Sequence, residues 1–328
     1  MKRRIRRRDV CLLAVILLLV VVIVYSGLQI LEATVLRGNQ IPTEPVKTKT
    51  ITRGGVEYFP RQDITPLLIL GIDSYGVVED SQSYQNTGAA DLDLLLVFNE
   101  STETYTVLSL NRDTMVEMPV LGVGGKPAGT YYGQLALAHT YGSGLHDSAE
   151  NARQAISDLL YGIRIDYYAA LRMDAVTIIN DAVGGVTVNV TEDFSAVDPS
   201  ITMGLCTLRG QQAVNFVRSR QNVGDQLNLS RMDRQKEYLR GFEEALKAKR
   251  EADPQFLLTT YEELLPYMVT DCSETVISNL LSRYEGYECR EIISPAGENL
   301  VGEKYMEFHL DEEKFDELVL RLFYEPKE

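Results

Sequence analysis

The chain has 328 residues and carries 47 Asp and Glu against 32 Lys and Arg, a formal net charge of −15. That length holds one large domain or two ordinary ones, and that charge disfavours nucleic acid, whose binding needs basic surface. Four cysteines without a C-x-x-C pair and three scattered histidines exclude a zinc-ligand pattern and a histidine cage.

The basic residues are unevenly placed. Lys2, Arg3, Arg4, Arg6, Arg7 and Arg8 precede Val10–Leu31, a run of 22 residues without a charge. Such a run is long enough to cross a bilayer core of roughly 30 Å as a helix. It carries no A-x-A-like cleavage site, so it reads as an anchor rather than a removed signal. The positive-inside rule puts residues 1–9 in the cytoplasm and all that follows Leu31 outside. Setting aside the six basic residues and Asp9 leaves 26 basic and 46 acidic residues, or −20, for the outward part.

Residues 32–64 are polar, with Pro42, Pro45 and a Thr/Lys run, and read as a stalk. Three buried strands follow: "PLLILG" ending at Gly71, "LDLLLVF" over 92–98 and "TYTVLSL" over 104–110, the last two joined as a hairpin by "NESTE". A helix over 147–160 is expected, with Asp147 and Glu150 as a capping box and Gly162 as its stop. "DYYAAL" predicts a strand, "MDAVTIINDAVGG" a helix, and "VTVNV" a strand. This alternation means helices packed on a mostly buried sheet, an α/β fold. Helices are expected over 210–218, 231–249, 256–268, 274–284 and 311–324, with a strand near 289–293. Cys272 and Cys289 lie outside the membrane segment, where their pairing is left open.

"GVGGKPAG" lacks the Walker spacing and has Pro127 where Ser or Thr should follow Lys126. Ser143 near His146 does not make a G-x-S-x-G elbow and reads as a turn. Carboxylates at strand ends are better candidates. Asp73 stands just past the first buried strand, and Asp91 and Asp93 stand at the start of its neighbour. In an antiparallel pair these ends lie together, so Asp73 and Asp91 can converge on a hard cation such as magnesium. Arg112 and Asp113 follow the third strand at the same edge.

"VRSRQNVGDQLNLSRMDRQ" gathers Arg218, Arg220, Arg231 and Arg234. Arg218 and Arg220 share a face in extended chain, and Arg231 and Arg234 share a face on a helix. A solvated surface would tolerate them. Guanidinium forks, however, bind phosphate oxygens in bidentate fashion, and with two Asp and a metal they make a pyrophosphate site.

"LLILGIDS", "ADLDLLLVFN", "VLSLNRDTMVEM", "LLYGIRIDYYAAL", "INDAVGGVTVNV", "LRGQQAVNFVRSR" and "RMDRQKEYL" occur in unbroken order from Leu67 to about Phe242. In this order they resemble the successive blocks of the LytR-CpsA-Psr family, and the tail resembles that of its clostridial-type members. The resemblance implies an α/β/α sandwich with a central mixed sheet, preceded by one transmembrane helix. It implies residues 65–245 as the catalytic core, with 246–328 completing the domain. It also implies a membrane-anchored phosphotransferase that moves a phosphate-linked glycopolymer (teichoic acid or capsule) from a polyprenyl-pyrophosphate carrier to peptidoglycan. Asp73 and Asp91 match the family's metal-associated carboxylates, with Mg2+ or Mn2+. Arg112, Arg218, Arg220, Arg231 and Arg234 match its pyrophosphate-binding arginines, and Arg112, Asp73 and Asp91 would carry catalysis. Many members have Arg-Ser-Asp where this chain has Ala89-Ala90-Asp91, which leaves Asp93 as an extra carboxylate. A non-catalytic polyprenyl-phosphate or wall-polymer binder and a polyprenyl-pyrophosphate hydrolase are the alternatives. A direct regulator of transcription does not fit a cytoplasmic part of about nine residues and an outer domain at −20.

Overall fold

The computed structural model describes residues 50–327 except 82, 225–227, 253–255, 274, 275, 277, 278, 281, 282 and 285. The expected anchor and residues 32–49 of the expected stalk lie outside the described residues. Among the described residues, no helix is long and apolar enough to cross a membrane.

In chain order the strands and helices are β1 (Ile51–Arg53), β2 (Val56–Pro60), β3 (Ile64–Ile72), β4 (Ala90–Asn99), β5 (Thr104–Leu110), β6 (Met115–Leu121), β7 (Pro127–Gln134), α1 (His146–Leu159), β8 (Tyr167–Arg172), α2 (Asp174–Ala182), β9 (Val186–Val190) and β10 (Gly204–Leu208). They continue with α3 (Gln211–Arg218), α4 (Asn228–Ala252), α5 (Phe256–Leu264), β11 (Met268–Thr270), β12 (Glu288–Ile293), β13 (Gly297–Val301), β14 (Met306–Leu310), α6 (Glu312–Phe323) and β15 (Tyr324–Pro326).

Six strands form the central sheet in the order β11-β8-β3-β4-β5-β12. β3 runs antiparallel to β4 and parallel to β8, so the sheet is mixed. The near-continuous apolar sequences of β3 and β4 follow from burial on both faces. One face carries Ile69, Leu94, Leu96 and Phe98 against side chains of α2, α3, α4 and α5. The other carries Leu68, Leu95, Val97 and Leu108 against α1, α6 and the β6–β7 ribbon. Three layers result, with a core on each side of the sheet.

Several local expectations change. Part of the expected stalk is ordered sheet, because β1, β2 and β15 pair in a three-stranded sheet. The capping box of α1 is not formed. The helix starts one residue earlier, so Asp147 lies inside its first turn and accepts from the Ser143 and Ser148 amides, while Glu150 pairs with Arg153. The helix expected over 256–268 ends at Leu264, since Met268–Thr270 pairs with β8. Cys272 and Cys289 are free thiols.

Helix α4 reaches its place because Gly241 lets it touch β9. A Cβ there would stand 2.2 Å from the Thr187 carbonyl oxygen, a backbone atom that cannot turn aside. Gly241→Ala is therefore expected to cost about 1–3 kcal/mol of stability through overpacking. Urea unfolding of the variant against the parent measures it.

Candidate active site

The site lies where the end of β3, the start of β4 and the end of β5 meet. Ile72 pairs with Ala90, but Gly71 pairs with Leu92, so Asp91 has no partner on β3. It is the extra residue of a β-bulge, a device that re-aims a side chain. The fit is close, because a Cβ on Gly71 would stand 2.8 Å from Cβ of Leu92. Strict alternation would put Asp91 and Asp93 on one face. The bulge separates them. Asp91 joins Leu92 and Leu94 beside α2 and α4, and Asp93 turns with Leu95 and Val97 to the other face. There Asp93 pairs in register with Leu70 and Leu110, is 1% exposed, and has no hydrogen-bond partner on either oxygen among the described residues. Burial pushes its carboxyl up to about 8 despite the opposing pull of Arg231, so it is neutral at pH 7. The extra carboxylate therefore does not reach the site.

Asp91 is held by two guanidinium groups. Nη1 of Arg112 donates to one carboxylate oxygen. Nη1 of Arg231 donates to the other at 2.8 Å, and its Nη2 reaches the Asp91 carbonyl at 3.3 Å. Arg231 is 1% exposed, and its Nη2 also donates to Asn228, one helical turn earlier. The Asn228 amide in turn donates to Asn111 at 2.5 Å. Burial and neighbouring arginines pull both guanidinium groups down to about 10, which leaves them charged at neutral pH. Asn111 and Asn228 escaped the sequence reading. The Asn-x-x-Arg spacing of residues 228 and 231 was the available signal.

Arg218 ends α3 and binds Oδ1 of Asp73 through Nε at 3.0 Å and Nη2 at 2.8 Å. Arg220 follows in extended chain. Among the described residues, no hydrogen bond or ion pair engages its guanidinium. Asp73, Asp91, Arg218, Arg220 and Arg231 line one open cavity of about 340 Å³. Arg112 joins it through Asp91. Three guanidinium groups thus line the cavity with two carboxylates, while Arg112, behind Asp91, is also 3.4 Å from Asp113, and the surplus suits an anion with several oxygens.

Arg234 does not line this cavity. Its fork is spent on the Phe216 and Ser219 carbonyls and on Glu192. These carbonyls belong to the last turn of α3, where a cation caps unpaired acceptors. Arg234 therefore sets the position of the turn that carries Arg218 and Arg220. The helix expected over 231–249 begins earlier, at Asn228, and runs to Ala252.

A second cavity, of about 150 Å³, opens from the same rim. It shares Asp91, Arg218 and Arg231 with the first and runs between the sheet and helices α2 and α4, past Leu94, Leu96, Ala175, Ile179, Leu239 and Phe242. Charged groups at the mouth and an apolar slot behind suit an amphiphile with an anionic head. As for a metal, no three His, Cys, Asp or Glu side chains gather among the described residues. Two carboxylates on one wall do fit magnesium, which takes one or two carboxylates together with phosphate oxygens and water.

The loop carrying Asp73 is tied down from behind. The Asp73 amide donates to the Ala89 carbonyl at 2.8 Å. Nδ1 of His139 donates to the Gly88 carbonyl at 2.7 Å, and Nδ2 of Asn86 donates to the His139 carbonyl at 2.7 Å. Burial lowers the His139 pKa to about 4, so the ring is neutral.

The LytR_cpsA_psr family pattern matches residues 34–322. A polyisoprenyl-teichoic acid–peptidoglycan teichoic acid transferase, TagU, of Oceanobacillus iheyensis is 27% identical over 252 residues, covering 74% of this chain and 69% of the relative. The protein of that name in Enterococcus faecalis is 29% identical over 210 residues, covering 63% of this chain and 61% of the relative. The crystal structure of B. subtilis TagV superposes with a TM-score of 0.59 at 21% identity, over 80% of this chain and 96% of that one, a likeness of fold.

Two measurements probe this site. Arg220→Lys keeps the charge and loses the fork, and is expected to weaken binding of inorganic pyrophosphate roughly tenfold, about 1.4 kcal/mol. Arg240, exposed and 3.7 Å from Glu237, is the control, and Arg240→Lys should bind within about twofold of the parent by titration calorimetry. His139 has a depressed folded pKa, so its contribution to stability is present above its ordinary value of 6.5 and is lost as pH falls towards about 4. His139→Asn keeps a donor for Gly88 without the titration. Across that window the urea midpoint of the parent should fall faster than that of the variant.

Proposed function

The chain belongs to the LytR_cpsA_psr family, and from that premise we propose that it transfers a wall glycopolymer, of the teichoic acid kind, from a polyprenyl-pyrophosphate carrier to peptidoglycan. The observation that supports this reading is the apolar slot whose mouth is built of Asp91, Arg218 and Arg231. A free phosphate has no use for the slot, and a fatty chain has no use for the arginines. A polyprenyl pyrophosphate uses both. The relatives' names supply the polyisoprenyl carrier, the teichoic acid and the peptidoglycan acceptor.

In this mechanism Arg218, Arg220 and Arg231 bind the pyrophosphate oxygens, and the chain enters the slot beside Ile179. Arg112 and Arg231 orient Asp91, and Arg218 holds Asp73. The acceptor hydroxyl oxygen attacks the phosphorus that bears the glycopolymer. The bridging phosphorus–oxygen bond breaks, and its electron pair leaves with polyprenyl phosphate. The hydroxyl proton ends on that departing phosphate, whose second ionisation lies at about pH 6. The arginines stabilise charge as it develops on the bridging oxygen. Magnesium, or manganese in its place, would be held by Asp73 and Asp91 together with phosphate oxygens, and would neutralise charge on the pyrophosphate. Residues 10–31 would anchor the protein in the cell membrane, with the domain on the outer side.

Ile179→Trp fills the slot without touching the arginines. Transfer of labelled polymer from a long-chain carrier should fall at least roughly tenfold, while a short-chain analogue should transfer within about twofold of the parent rate. EDTA should stop both reactions. Full activity of Ile179→Trp on the long-chain carrier would remove the carrier from the slot and the reading with it.

A further inference from the structure

A transfer needs a seat for its acceptor as well as for its donor. Displacement at phosphorus runs with attacking and leaving oxygens roughly in line. With the carrier chain between the sheet and helices α2 and α4, the leaving phosphate lies on that face of the sheet edge. The acceptor hydroxyl must then arrive from the opposite face.

The β6–β7 ribbon stands on that opposite face and is rooted in the site. The Ala136 amide donates to the Arg112 carbonyl at 3.0 Å, and the Leu135 amide to the Thr114 carbonyl at 2.8 Å. Nε2 of Gln134 donates to Asp113, the neighbour of Arg112, at 2.9 Å. The ribbon's inner face, with Val116 and Met118, is buried in the second core. Its outer face pairs Gln134 with Met115, Tyr132 with Glu117, and Thr130 with Pro119. Tyr132 is 61% exposed in the middle of this face. Beside it, the Thr130 hydroxyl donates to Glu117 at 2.5 Å. Nε2 of Gln134 also donates to the Met306 carbonyl at 2.8 Å, and the preceding residue, Tyr305, is 64% exposed. Gln134 thus stands two residues along β7 from Tyr132 and is hydrogen-bonded to the residue that follows Tyr305.

A tyrosine ring offers an apolar face and a polar tip. A pyranose ring offers a C–H face to stack on it and a rim of hydroxyls for a carboxylate and a hydroxyl to bind. None of the six outer-face residues is basic, and Glu117 repels phosphate. The surface therefore suits a neutral sugar chain better than an anionic polymer.

We infer that the outer face of the β6–β7 ribbon, with Tyr132 and Tyr305, binds the neutral glycan strand that accepts the transferred polymer. This inference rests on the transferase reading, and the experiment separates the two. The probes are glycan fragments released from peptidoglycan by muramidase and, for the arginine site, inorganic pyrophosphate. The double variant Tyr132→Ala/Tyr305→Ala is expected to weaken fragment binding at least roughly tenfold and to raise the acceptor KM with little change in kcat. Its pyrophosphate affinity should match that of the parent, and Tyr132→Phe should keep the ring and the binding. Fragment binding that is undiminished in the double variant, or absent in the parent, overturns the inference. An equal loss of pyrophosphate affinity does so too, because the ribbon would then be acting through the arginine site. Fragment binding that depends on the tyrosines, in a protein that transfers nothing, upholds the ribbon and sinks the transferase reading instead.

Discussion

A nearly water-free carboxylate between two guanidinium groups is the constraint on which this site depends. Arg231 is buried beside Arg112, and Asp91 supplies the carboxylate that pairs with both. The pairing holds three charged side chains at one sheet edge. In the proposed reaction a pyrophosphate would offer the guanidinium groups a second anion, so that an exchange of partners would replace the desolvation of bare ions.

The fold brings these groups together by two backbone devices. The bulge between β3 and β4 rotates Asp91 out of the alternation that Asp93 obeys. The close approach of α4 to β9 at Gly241 fixes the helix that carries Arg231. Arg234 then works as a clamp. By binding the last carbonyls of α3 it sets the turn that carries Arg218 and Arg220. An arginine can thus serve an anion site by shaping backbone rather than by touching the ligand.

The two sides of the sheet carry different chemistry up to the same edge. On one side the packing between strands and helices is incomplete and leaves an apolar slot. On the other side, the ribbon presents hydroxyl, carboxylate and aromatic groups to solvent. The charged cluster stands between them. A reaction that joins a lipid-borne donor to a hydrophilic acceptor needs that arrangement, because a single pocket cannot solvate both.

The sequence by itself determined five of the six central strands, most of the helices and the chemical inventory, but not β11, β10 or the β6–β7 and β13–β14 ribbons. Apolar runs in β3, β4 and β5 read as buried strands because continuous hydrophobicity has no other stable use in a chain this polar. The carboxylates at strand ends and the arginines of residues 218–234 were legible as groups that suit a metal and a pyrophosphate, and seven blocks in order pointed to the family. Tertiary structure alone decided which of these groups meet. Alternation predicts a face only while register holds, so the bulge that parts Asp91 from Asp93 left no local sign. A spacing of three on a helix puts Arg231 and Arg234 on one side, yet what each touches depends on α3, which packs there from a different part of the chain. Leu94, Ile179 and Phe242 have the same sequence pattern whether they fill a core or line a slot. The difference is a gap in packing, and a gap belongs to all of its walls at once.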